Sequence, residues 1–191
     1  MNSNRLEAFS DGVLAIILTI MVLELKVPIG EDLSSLKPFV PKILNYILSF
    51  VYVGIYWNNH HHLFQAIKKV NGKVLWANLI LLFWLSLLPV ATGWMDEHVH
   101  AKWPVATYGF VLMMSSISFM LIEYQAMRIK DQSSEFIQSI STMKKEKISI
   151  GLFFIAILIS LLIPEAGVAI YILVSILWII PDKRIEKYLD K

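Results

Sequence analysis

Six apolar stretches divided by short polar links dominate the chain: about 10–27, 39–61, 74–95, 104–124, 148–163 and 166–180. The first four fall within the range of about 17–25 residues that a helix needs to cross the hydrocarbon core of a membrane. The last two are shorter and read as a tight helical hairpin broken at Pro164-Glu165-Ala166-Gly167. There proline removes an amide proton, and glycine is expected to permit the reversal. In the polar link from Met127 to Lys147, Phe136, Ile137, Ile140 and Met143 recur at helical spacing. They predict either a short interfacial helix or an extension of the neighbouring spans.

Cations fix an expected orientation. With the N-terminus inside, the inner segments carry Arg5; Lys68, Lys69 and Lys73; Arg128, Lys130, Lys144, Lys145 and Lys147; and Lys183, Arg184, Lys187 and Lys191. The outer loops hold only Lys26, Lys37, Lys42 and Lys102. Both termini are therefore expected in the cytoplasm, as an even number of spans also requires. The expected fold is an all-α membrane protein, one six-helix domain over residues 1–191, with no separate soluble domain.

Composition narrows the function further. Hydrophobic residues make up 57% and the mean hydropathy is +0.62, well above a soluble domain of about 45–50% apolar residues. Without cysteine there is no disulfide, thiolate nucleophile or zinc–thiolate site. A net charge of +2 gives no argument for a nucleic-acid partner. The first apolar stretch is preceded by acids and has no small-residue cleavage site, so it is expected to stay as a membrane helix.

That first stretch, "RLEAFSDGVLAIILTIMVLEL", is entered through Arg5, Glu7, Ser10 and Asp11. At about 100° per residue, Arg5, Phe9, Gly12, Thr19, Ile20 and Leu23 lie within about 60° of Ile16. This stripe fits either ordinary helix packing or a lining surface. Asp11 points to the opposite side, with Glu7 one turn below. An acid near membrane depth is costly and wants a partner; Arg5, a histidine or a hydroxyl of a neighbouring helix could serve. Candidates stand in "YWNNHHHLFQ" at the inner end of the second stretch. Trp57 and His61 share one face there, and His60 aligns with Trp57 and Phe64. His60, His61 and His62 point about 100° apart, so they do not converge on a metal.

These residues resemble a known family. Arg5-x3-Phe9-Ser10-Asp11-Gly12, followed by Ala15-Ile16-x2-Thr19, looks like the first-helix signature of the transmembrane protein 175 family. That family comprises an endolysosomal potassium channel of animals and its bacterial relatives. Trp57-x2-His60-x2-Leu63-Phe64 resembles the end of its second helix. Asn78-Leu79, separated by eight residues from Leu88-Pro89, resembles its third. The resemblance covers roughly residues 5–89; beyond them only the number and length of helices agree.

The resemblance implies a potassium-permeable channel without a Thr-Val-Gly-Tyr-Gly filter, and this chain has none. One six-helix unit per chain implies a homotetramer, with four first helices around a central pore. Ile16 matches the family's constricting isoleucine, Ile20 and Leu23 continue its face, and Thr19 matches a polar pore position. Arg5, Ser10, Asp11 and His60 match a structural network at the cytoplasmic end, and Phe9 belongs to the same signature. The implied setting is the bacterial plasma membrane, with lipid around the protein, no cofactor, and potassium and other monovalent cations as permeant ions. Weak to moderate selectivity for potassium over sodium is expected. A proton-conducting channel and a secondary transporter of small cations are the alternatives. An enzyme is disfavoured: the five histidines split between the two membrane sides, and no serine has a base at motif spacing.

Overall fold

The computed structural model describes residues 3–26, 28, 30–67, 70–129, 137–138, 140–141 and 143–179. It is all helical, with no strand among the described residues. Helix α1 spans Ser3–Leu23, a 3₁₀ turn Leu33–Phe39 leads into α2 at Val40–Ala66, and α3 runs Gly72–Ser86. Then come α4 at Leu88–Glu97, α5 at Lys102–Met127, α6 at Lys144–Ser160 and α7 at Pro164–Ile179. Four segments are long and apolar enough to cross a membrane: Ser3–Leu23, Leu33–Ala66, Gly72–Glu97 and Lys102–Met127. Pro164–Ile179 is a shorter apolar helix. The chain is therefore a multi-pass membrane protein. Of the cations used for orientation, Lys68, Lys69, Lys130, Lys183, Arg184, Lys187 and Lys191 lie outside the described residues, as do Val27, Phe136 and Ile180.

Two expectations are corrected. The third stretch is not one helix. It breaks at Leu87, and Pro89 sits in the first turn of α4. Proline offers no amide proton to the preceding turn, so a new helix starts there. Leu87 stays near helical geometry and donates its amide to the Trp84 carbonyl at 3.2 Å, so the chain continues in the same direction. Gly167, in turn, does not make the α6–α7 reversal. The turn is Leu161–Ile163, and Gly167 is helical. A Cβ on Gly167 would stand 2.7 Å from the Ser160 Cβ and 3.2 Å from the Ala156 carbonyl oxygen. Its missing side chain lets the two helices touch.

Helix α5 is the hub and packs against α3, α4, α6 and α7. Gly109 on α5 faces the Tyr171 ring of α7, where a methyl group would overlap the phenol. Several polar groups in this apolar interior are bonded across helices, which lipid surroundings favour. Ser49 of α2 meets Thr92 of α4 at 2.8 Å and Tyr108 of α5 at 3.0 Å. The Tyr52 hydroxyl donates to the Tyr171 carbonyl, and the Tyr171 hydroxyl to the Val105 carbonyl at 3.0 Å. Ile137 and Ile140 of the link pack on the core, and Met143, in left-handed geometry, caps α6. Helix α6 thus starts one turn before the apolar stretch.

Candidate functional site

Helix α1 carries two distinct faces. Leu6, Ser10, Leu14, Ile17 and Met21 recur every three or four residues and are buried against the rest of the chain. Arg5, Phe9, Gly12, Ile16, Thr19, Ile20 and Leu23 are exposed. Ile16 is 60% exposed, whereas its neighbour Ile17 is 2% exposed. The stripe read from the sequence is therefore not the face by which α1 packs within its own subunit. The Thr19 hydroxyl donates to the Ala15 carbonyl at 2.8 Å. That bond commits the hydroxyl proton to the helix and leaves the oxygen able to accept.

At the inner end of α1 the polar residues separate into two sets. The first is fully buried. The Asn78 amide nitrogen donates to Ser10 Oγ at 2.9 Å, and the Ser10 hydroxyl donates to the Leu6 carbonyl at 2.9 Å. The Asn78 carbonyl oxygen then accepts from His60 Nε2 at 2.8 Å. Since Asn78 offers His60 only an acceptor, the His60 proton sits on Nε2. His60 Nδ1 is buried without a hydrogen-bond partner. The ring lies against Phe64, centroids 4.4 Å apart.

The second set stands nearer the surface. Trp57 Nε1 donates to Asp11 Oδ1 at 3.0 Å, and the indole stacks on the His61 ring. His61 Nδ1 meets Glu7 Oε1 at 2.5 Å, while the Gln65 amide lies 2.7 Å from His61 Nε2. With that amide donating, the His61 proton sits on Nδ1 and points at Glu7. The structure thus brings Ser10 and His60 together through Asn78, and gives Asp11 a different partner, Trp57. Arg5 and Phe9 are exposed on the stripe side. Each of two adjacent histidines serves its own set, which neighbouring positions about 100° apart make possible. His62 is half-buried beside His61.

Sequence reasoning did not assign the bridging role of Asn78. A signal existed: from Leu75 to Leu85 it is the one polar residue in an apolar run. An amide at that depth needs a partner on another helix. Among the described residues no cluster of three or more histidines and acids could hold a metal ion.

Comparison with known proteins adds independent findings. A family profile described as endosomal/lysosomal potassium channel TMEM175 matches residues 5–89. A potassium channel of Chryseobacterium sp. is 56% identical over 191 residues, covering 100% of both chains. An endosomal/lysosomal proton channel TMEM175 of Gallus gallus is 35% identical over 103 residues, which are 48% of this chain and 21% of that protein. Among solved structures, a lysosomal potassium-selective channel TMEM175 homolog from Chamaesiphon minutus superposes with a TM-score of 0.82 at 25% identity. The match covers 94% of this chain and 97% of that one.

Proposed function

Because the chain belongs to the transmembrane protein 175 family, a family of ion channels and not of enzymes, we propose that it forms a potassium-permeable cation channel. In this reading four copies surround a pore lined by α1. Helices α6 and α7 serve as the fifth and sixth spans, and both termini lie in the cytoplasm of a bacterial cell. The observation that carries the proposal is the exposure contrast along α1. The side chains at 16, 20 and 23 are apolar and left uncovered by their own subunit, while Ile17 and Leu14 are buried. A helix in the middle of a tetramer has this character: one face holds the subunit, the other surrounds the axis.

An isoleucine ring at position 16 supplies no oxygen to replace a hydration shell. When narrow it dewets, and an ion meets a dielectric barrier; when wider, ions pass largely hydrated. Selectivity is then weak to moderate and follows the cost of partial dehydration, which is lower for potassium than for sodium. The accepting oxygen of Thr19, one turn from Ile16, offers contacts next to the constriction. The buried Ser10–Asn78–His60 set would hold the rotation of α1, so that Ile16 stays aimed at the axis. Arg5 stands on the exposed face, free to meet a neighbouring copy at the inner mouth.

Recording from purified protein in planar bilayers under opposed potassium and sodium gradients tests the proposal. Unitary currents with a reversal potential displaced toward potassium are expected; their absence from active-sized oligomers overturns it. Two other readings have an observation each. The relative in Gallus gallus is named a proton channel, and Glu7, Asp11 and His61 cluster at the inner end of α1. A reversal potential that follows a pH gradient at fixed potassium would favour proton conduction. The break at Leu87 resembles the interrupted helices of secondary transporters. Saturating flux without unitary steps would favour that reading.

A further inference from the structure

We propose that the recess between the start of α3 and the end of α5 binds one anionic phospholipid. This inference goes beyond conduction and does not rest on it. The recess is lined by Lys73, Trp76 and Ile80 of α3, by Leu121 and Gln125 of α5 and by Arg128 at the end of α5, and has a volume of about 780 Å³ open to the outside.

The lining is graded along the helix axes. Lys73 and Arg128 stand at one end, because α3 begins where α5 finishes. Ile80 and Leu121 lie seven residues further along each helix, about 10 Å deeper at about 1.5 Å per residue. Charge at the shallow end and apolar floor at the deep end match a phosphodiester headgroup followed by the first carbons of an acyl chain. Trp76 is 70% exposed between the two levels, where an indole suits a membrane interface. Arg128 stacks its guanidinium on the Tyr124 ring at 5.1 Å, which limits its swing. Gln125 adds an amide donor. No acid lines the recess among the described residues, so the site is cationic without internal neutralisation. The apolar floor distinguishes a lipid from a free anion, which would gain nothing from Ile80 and Leu121. Basic pockets between membrane helices bind anionic headgroups by this combination.

The test is native mass spectrometry of the detergent-purified assembly, titrated with dioleoylphosphatidylglycerol or dioleoylphosphatidylcholine. Wild type should retain phosphatidylglycerol in preference to phosphatidylcholine. Lys73→Gln with Arg128→Gln should weaken phosphatidylglycerol binding about thirtyfold, from about 1 kcal/mol for each cation near a membrane surface. The outer-loop control, Lys37→Gln with Lys102→Gln, should leave it unchanged. Brominated-chain phosphatidylglycerol should quench wild-type fluorescence more than that of Trp76→Phe. Equal binding by the Lys73/Arg128 double variant, or equal retention of phosphatidylcholine, overturns the proposal. So does displacement by millimolar inorganic phosphate, which would mark a free-anion site. Absence of the Trp76-dependent quenching in the intact assembly overturns it too, since a second copy would then fill the recess.

Discussion

The Asn78 amide of α3 donates to the Ser10 hydroxyl of α1 at 2.9 Å, and its carbonyl oxygen accepts from His60 of α2 at 2.8 Å. One side chain therefore ties three helices at one depth, with all three residues buried. Ser10 sits about 120° around α1 from Ile16, so the bond sets the angle at which the exposed stripe leaves the subunit.

Asn78→Leu should expose this dependence. It leaves the His60 Nε2 proton without an acceptor and Ser10 without a donor, at buried positions between the helices. Each unsatisfied buried group costs about 1–3 kcal/mol. Thermal unfolding in detergent should show a markedly lower midpoint and a reduced yield. Ser10→Ala removes only one link and should show the smaller loss. An Asn78→Leu midpoint equal to wild type would mean that helix packing alone positions α1.

Ile16→Asn and Ile17→Asn form the sharpest contrast. The two residues are identical in type and adjacent, yet one is exposed and the other buried. If Ile16 forms the proposed constriction, asparagine there replaces a dewetting side chain by one that hydrogen-bonds water, at nearly constant volume. Current should rise and discrimination among potassium, sodium and larger cations should weaken. At 17 the amide enters helix packing; stability should fall by about 1–3 kcal/mol with no gain in current. If Ile17→Asn is the leakier channel, the pore lies elsewhere.

For Asp11 the informative pair is alanine against asparagine. Its oxygen receives the Trp57 indole proton. Alanine removes that acceptor, whereas asparagine keeps one and removes the charge. Asp11→Ala should lower yield and the fraction of the proposed tetramer in size-exclusion chromatography with mass detection. Asp11→Asn should stay close to wild type. Should both variants lose the tetramer equally, assembly needs the charge and not the indole bond.

Gly109→Ala tests the hub. The added methyl would meet the Tyr171 phenol, whose hydroxyl is held by the Val105 carbonyl and cannot swing aside. Overpacking of this kind costs about 1–3 kcal/mol. Gly151→Ala, where a Cβ meets nothing within 4 Å, should be neutral or slightly stabilising. Unfolding midpoints of the two variants give the comparison.

What was legible in the sequence was what a regular helix imposes on a single strand of residues. Ile16, Ile20 and Leu23 share a face because rotation per residue is fixed, and the apolar stretches mark where helices lie. What was not legible depended on the angle between helices. Asp11 finds Trp57 and not Arg5, and His61 finds Glu7, because α1 and α2 are rotated to present those pairs. No periodicity contains that rotation. Local ambiguity hid the rest. Pro89 suits either the end of one helix or the start of another, and the structure uses it for the start. Gly167 suits a reversal or a close helix contact, and the neighbouring Ser160 decides for contact.

The division of α1 has a consequence for how such a sequence can diverge. A substitution at Phe9, Ile16, Ile20 or Leu23 alters no part of the subunit's own interior, while one at Leu6, Leu14, Ile17 or Met21 does. Whatever work the exposed face performs can drift, or be selected, without renegotiating the fold. Descendants of one ancestral chain can inherit the same scaffold and differ in the property written along that single stripe.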